Sequence, residues 1–248
     1  MYCVAPGGEE MTLGEIGIEG HAVYTVAHEG TCALVHDCPA QPYQSEDGSI
    51  AVAWVLTHHQ VVEAAWKRWG TVLPLTFNTI IRVEGGNSAQ RNLAAWLEME
   101  YSSLKGKLEA VRGKAEYVVQ VFWDLALISR RTAESSPEIR RLEEEIGSKP
   151  RGLAYMYRQK LEAMLKKQVE ARAEEECGGL LSRLSRCTEN IHVEKAGKGE
   201  GGRQILVNLS CLVPGGRLTE LEAEMDRITS IEGFSVRLVG PLPPYSFY

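Results

Sequence analysis

Long apolar runs are missing from this 248-residue chain. No window approaches the ~20 uninterrupted apolar residues that a bilayer-spanning helix needs. The best run, residues 117–128, is broken by Asp124. The first ten residues carry no basic segment followed by an apolar one, so a secretory signal is not expected there. Basic excess is missing too: 27 Lys+Arg stand against 33 Asp+Glu, a formal net charge of −6. A nucleic-acid ligand calls for a dense basic face, yet Lys166 and Lys167 sit among glutamates. Paired cysteine spacing is also absent. Cys3, Cys32, Cys38, Cys177, Cys187 and Cys211 include no C-x-x-C, and in a reducing compartment they read as small buried hydrophobes. The expectation is a cytoplasmic protein with neither a lipid membrane nor a nucleic acid as partner.

What is present suits two domains. Hydrophobic residues make up 44% and charged residues 24%, enough for real cores in a chain of this length. Short β-rich runs open the chain at residues 2–4, 22–26 and 31–35, with Gly30 expected to take positive φ in the turn between the last two. An amphipathic helix is expected over 57–69, because Val61, Val62, Ala65, Trp66 and Trp69 share a face. Gly70 is its expected cap. Extended runs at 71–75 and 79–83 precede a second helix over 88–112, which Gly113 ends. Strands are then expected over 116–123, 191–195, 204–213 and from Phe234 to Leu238. Ser135-Ser136-Pro137-Glu138 reads as a helix start, a capping box with Pro at the first helical position. A short helix is expected to run from there to Gly147, with a long one over 150–188 and another through Leu218, Leu221, Met225 and Ile228.

The second half thus reads β-α-β-β-α-β, the order of a ferredoxin-like α+β sandwich. The first half, β-β-β-α-β-α, reads as a modified version. The expected domains are 1–114 and 115–248, the latter with a helical arm over about 135–189 and a Pro-rich tail at 240–248. The long helix would reach ~50 Å at ~1.5 Å per residue. Two arrangements fit it: an arm that projects and pairs with another helix in coiled-coil fashion, or a helix lying across its own sheet.

Residues that could carry chemistry form no recognisable site. Cys32, His36 and Cys38, with His58 and His59, are possible zinc ligands, but C-x3-H-x-C matches no finger or ribbon spacing. The glycine-rich stretch 197–203 could cradle phosphate, but it joins two strands and carries Glu200. No G-x-S-x-G elbow is present. The glutamate runs 143–145 and 174–176 read as solvated helix faces. No catalytic residue, metal or cofactor is therefore expected. The competing class is a ligand-binding or enzymatic ferredoxin-like domain.

Two stretches are unusual for a generic domain. One is the nearly uncharged run 71–79, with Pro74 inside it. The other is GPLPPYSFY at 240–248, stiff and aromatic. They bring a family into view. HHQVVEAAWKRWGTVLPLTFNT at 58–79 is similar to a helix-and-run segment of the gas vesicle protein F/L family, and the ending GPLPPYSFY is similar to that family's terminus. Residues 208–213, the opening Tyr2, Cys3 and Val4, and residues 13–18 also fit. Leu242 stands where the family usually has Trp, and Thr76 and Asn78 where Arg and Gly are common. The motif positions, structural or partner-contacting, are Leu73, Pro74, Phe77, Thr79, Gly240, Pro241, Pro243, Pro244, Tyr245 and Phe247. The resemblance implies a non-enzymatic accessory protein needed to build gas vesicles, which are hollow, protein-shelled flotation organelles. It implies two α+β domains, one with a coiled-coil arm. It also implies binding to the small, very hydrophobic main shell protein and to other accessory proteins.

Overall fold

The computed structural model describes every residue except Ala196, Lys198 and Glu200, and every side chain besides theirs but that of Arg151. Of the glycine-rich connection over 197–202, Lys198 and Glu200 therefore lie outside the described residues. Gly201 and Gly202 take positive φ. The described chain is α+β, with two antiparallel sheets and six α-helices, and it divides into two compact units.

The first unit comprises Met1–Glu116 and Gly240–Tyr248. Its strands are β1 (Cys3–Pro6), β2 (Thr12–Gly14), β3 (Val23–His28), β4 (Thr31–Val35) and β5 (Leu73–Pro74), in the order β2-β3-β4-β1-β5. β4 pairs with β1 in the register Cys3↔Leu34, Ala5↔Cys32. All five of its residues are buried, as a central strand covered on both faces requires. Alternation divides the two faces. Cys3, Ala5, Cys32 and Leu34 join Val61, Val62 and Ala65 of α1 (Gly48–Trp69) in one core. Val4, Ala33 and Val35 point the other way, where α2 (Ala89–Val111) buries Leu93, Leu97, Leu104 and Leu108.

Helix α1 ends where expected. Gly70 takes φ 70°, the left-handed conformation that costs a glycine nothing, and its N–H donates to Trp66 O at 2.7 Å. The helix begins nine residues earlier than the periodicity predicts. Asp47 caps it by accepting from Ser49 N, and the added turns carry exposed apolar residues that form no core-facing stripe. Of the extended runs at 71–75 and 79–83, the first pairs as a strand only at Leu73–Pro74 and the second joins no sheet.

The second unit, Tyr117–Val239, holds a four-stranded sheet in the order β7-β8-β6-β9. The strands are β6 (Lys114–Asp124), β7 (Asn190–Val193), β8 (Arg203–Pro214) and β9 (Phe234–Leu242). Its helices are α3 (Leu125–Ser135), α4 (Pro137–Gly147), α5 (Arg151–Leu184) and α6 (Leu218–Thr229). Helix α3 is not foreseen in the sequence. Asp124, which merely interrupts an apolar run there, caps the helix by accepting from Leu127 N at 3.0 Å. Ser136 caps α4 and Pro137 occupies its first turn, as expected. Helices α3, α4 and α5 pack on one another. Glu224 on α6 is buried beside Arg183 of α5 (3.1 Å) and Arg227 (2.7 Å).

Candidate functional site

The motif residues all lie in the first unit. Leu73 and Pro74 pair with Val4 and Cys3 as β5 and are buried. Two residues later the chain turns. Thr79 closes the turn, its N–H and hydroxyl both donating to Thr76 O at 3.1 and 2.6 Å. Its own carbonyl accepts from the amino group of Met1 at 2.8 Å. Asn78 within this turn adopts φ 68°. Among residues with a side chain, Asn enters this region most readily, which explains how it stands at a position where glycine is common. Its amide also clamps a neighbouring loop: Oδ1 accepts from Tyr43 N at 2.9 Å and Nδ2 donates to Tyr43 O at 3.2 Å.

Phe77 meets His58 edge-on, ring centroids 5.8 Å apart, and lies 6.3 Å from Tyr43. His58 and His36 flank Tyr2, each 5.2 Å away. His36 Nε2 and Tyr43 Oη lie 3.0 Å apart. Burial pushes both histidines down to about 4, and the nearby amino-terminal charge acts the same way. Both are therefore neutral at physiological pH. Among the described residues, His36 Nδ1 and His58 Nε2 are buried without a hydrogen-bond partner.

The tail completes the assembly. Pro243 and Pro244 are buried. The hydroxyl of Tyr245 lies 2.9 Å from His59 Nδ1, the rings are 5.7 Å apart, and the Tyr245 ring packs on the α1 core. Burial pushes its phenol well above the ordinary range. Ser246 donates through both N–H and Oγ–H to the buried carboxylate of Glu116, each at 2.9 Å. Phe247 and Leu242 are half-buried, while Gly240 and Pro241 are exposed. The structure thus packs Phe77 and Tyr245 on the α1 core, sets Leu73 opposite Val4 in β5, and leaves Gly240 and Pro241 exposed. Glu116, the carboxylate that holds the tail, goes unrecognised in sequence because its partner lies 130 positions away.

Of the possible zinc ligands, Cys32 faces the α1 core and burial pushes its thiol up to about 11. His36 and His58 belong to the aromatic cluster. Among the described residues no group of three or more His, Cys, Asp or Glu side chains could hold a metal ion. No helix of the described residues is long and apolar enough to cross a membrane.

This α+β fold matches solved structures closely. The crystal structure of the gas vesicle protein GvpF from Anabaena sp. PCC7120 superposes with a TM-score of 0.78 at 17% identity, covering 99% of this chain and 96% of that one. GvpF from Microcystis aeruginosa gives 0.68 at 16% identity, with the same coverage. In sequence, gas vesicle protein L1 of Halobacterium salinarum is 28% identical over 255 residues, spanning 100% of this chain and 89% of the relative. Gas vesicle protein L of Haloferax mediterranei is 27% identical over 244 residues, covering 93% and 72%. The family model described as gas vesicle synthesis protein GvpL/GvpF matches residues 1–248. The chain belongs to that family, which ties it to gas vesicle assembly.

Proposed function

We propose that this protein is a non-enzymatic accessory factor of gas vesicle assembly, acting in the cytoplasm by binding the main shell protein and other accessory gas vesicle proteins. The observation that carries this reading is what the motif residues do. Leu73 and Pro74 fill a sheet edge, Thr79 and Asn78 shape a turn, and Tyr245 closes the α1 core. These roles are strand pairing, turn closure and packing. A shell subunit with a large apolar face would aggregate before assembly, and a soluble acidic scaffold could hold it. We read the second unit as ferredoxin-like, because its strand order is that of a split β-α-β sandwich, and α4 with α5 as its helical arm. Each of the two units is read as a functional domain.

Co-expression tests the proposal. The main shell protein expressed alone should pellet, and with this protein it should stay soluble and co-elute on affinity purification. Failure to co-elute, together with stoichiometric retention of a metabolite or nucleotide, would favour the ligand-binding or enzymatic class instead.

A further inference from the structure

The chain enters the second unit once and leaves it once. It enters after Glu116 and leaves after Val239. The second unit is therefore one continuous stretch, whereas the first consists of two pieces, Met1–Glu116 and Gly240–Tyr248. The way in and the way out lie on neighbouring strands, since β6 and β9 are adjacent in their sheet. Asp124 N, at the end of β6, donates to Gly233 O, just before β9, at 2.8 Å. The two strands are thus antiparallel, and the start of β6 meets the end of β9. A module whose two ends lie together can be inserted into another domain without pulling that domain apart.

The second piece of the first unit is short, yet the interior uses it. Pro243 and Pro244 are buried. Tyr245 packs on the α1 core and reaches His59. Ser246 donates twice to Glu116, the last residue of the first piece. Docking the tail therefore closes a loop that starts at Glu116. The entropy cost of closing a flexible loop grows as about (3/2)RT ln n, so the chance that its ends meet falls as about the −3/2 power of n. With the second unit unfolded, n is about 120 residues. With β6 and β9 paired, the free tether is only the roughly four residues between Val239 and Pro243. The folded second unit thus raises the local concentration of the tail at its site on the order of a hundredfold.

We infer that the second unit is an inserted module that staples the first: the pairing of β6 with β9 presents the tail to its site, and loosening that pairing releases it. The tail is then a strap through which a change in the second unit reaches the α1 core of the first. β9 is an edge strand, so a partner that peels it from β6 also frees Tyr245 from His59 and Ser246 from Glu116.

The test is hydrogen exchange on the full chain, read by mass spectrometry. A flexible Gly-Ser segment of about 20 residues, placed between the exposed Gly240 and Pro241, lengthens the tether roughly sixfold. The tail amides, Ser246 included, should then exchange on the order of tenfold faster, and the amides of β1 and β4 should change less. The same segment between Gly201 and Gly202, both exposed in the second unit, leaves the tether alone and should leave tail exchange at the parent rate. A Leu221→Ala/Ile228→Ala variant hollows the second unit's core under α6. In a urea series on this variant, tail exchange should rise about a hundredfold as the β8 amides lose protection, while β1 and β4 stay protected. If the tether insertion itself unfolds the second unit, the same hundredfold rise is expected of it. Tail exchange that ignores the tether insertion, or that stays slow when β8 opens, overturns the inference. An equal rise from the insertion at Gly201, or one shared equally by β1 and β4, overturns it as well.

Discussion

Replacing Glu116 tests whether the tail is held by the body of the first unit. Its carboxylate is 4% exposed and accepts two hydrogen bonds from Ser246, both 2.9 Å long. Hydrogen bonds to a charged acceptor contribute about 1.5–3 kcal/mol each, neutral ones about 0.5–1.5. Glu116→Gln keeps an oxygen for the Ser246 N–H and turns an amide toward the hydroxyl, which can rotate to accept. It loses charge assistance but also relieves a buried charge, for a net cost of about 1 kcal/mol. Glu116→Ala removes both acceptors and strands a buried N–H, costing about 3 kcal/mol. Deleting residues 241–248 further uncovers the surface under Tyr245, a side chain whose burial is worth roughly 1.5–3 kcal/mol. At about 3–5 °C per kcal/mol for a unit of this size, the glutamine should lower the melting midpoint by about 4 °C and the alanine by about 10 °C, and the deletion should cost at least as much as the alanine. Tryptophan emission is the assay, because Trp54, Trp66, Trp69 and Trp96 lie in the first unit and only Trp123 in the second. An alanine variant that melts with the parent would refute the reasoning and make the tail a free segment.

Three further outcomes are expected. The pKa values of His36 and His58 lie at about 4 in the folded protein and near ~6.5 when unfolded. The unfolded chain therefore binds more protons between these values, so stability is full above about pH 6.5 and falls as pH drops toward 4. Denaturation midpoints from pH 7.5 to 4.5 should show this, and a His36→Gln/His58→Gln variant should flatten the profile; the amino terminus, His21, Asp37 and His59 act on the same pair. Asn78→Gly and Asn78→Ala both lose the clamp on Tyr43, but only alanine must also bear the left-handed backbone at φ 68°, so calorimetry should place it about 1 kcal/mol below glycine. In the second unit, Glu224→Gln removes the charge between Arg183 and Arg227 and should cost about 1–3 kcal/mol in chemical denaturation followed through Trp123.

Local signals were legible at several helix ends and turns. Gly70, Ser136 and Pro137 mark helix ends because capping is decided within one turn. Gly30 takes φ 85° in its hairpin for the same reason. The start of α1 was not legible, because Ile50, Val52, Val55 and Leu56 are exposed and follow no core-facing period. Helix α3 was missed because Asp124 reads as an interruption until it is seen capping a helix. At the candidate site, the prominence of 71–79 and of the tail could be read, but not that they meet on α1. That meeting depends on Glu116 and His59, ordinary residues locally, whose partners lie 130 and 186 positions away.

The most direct test of the central claim is a tagged copy of this protein recovered from cells that carry the complete gas vesicle gene set, with the co-purifying proteins quantified by mass spectrometry. Binding to the shell subunit as an accessory factor predicts that the main shell protein is enriched with the tagged protein, together with other gas vesicle proteins. Recovery of the tagged protein without any gas vesicle protein, from cells in which vesicles are forming, would contradict it.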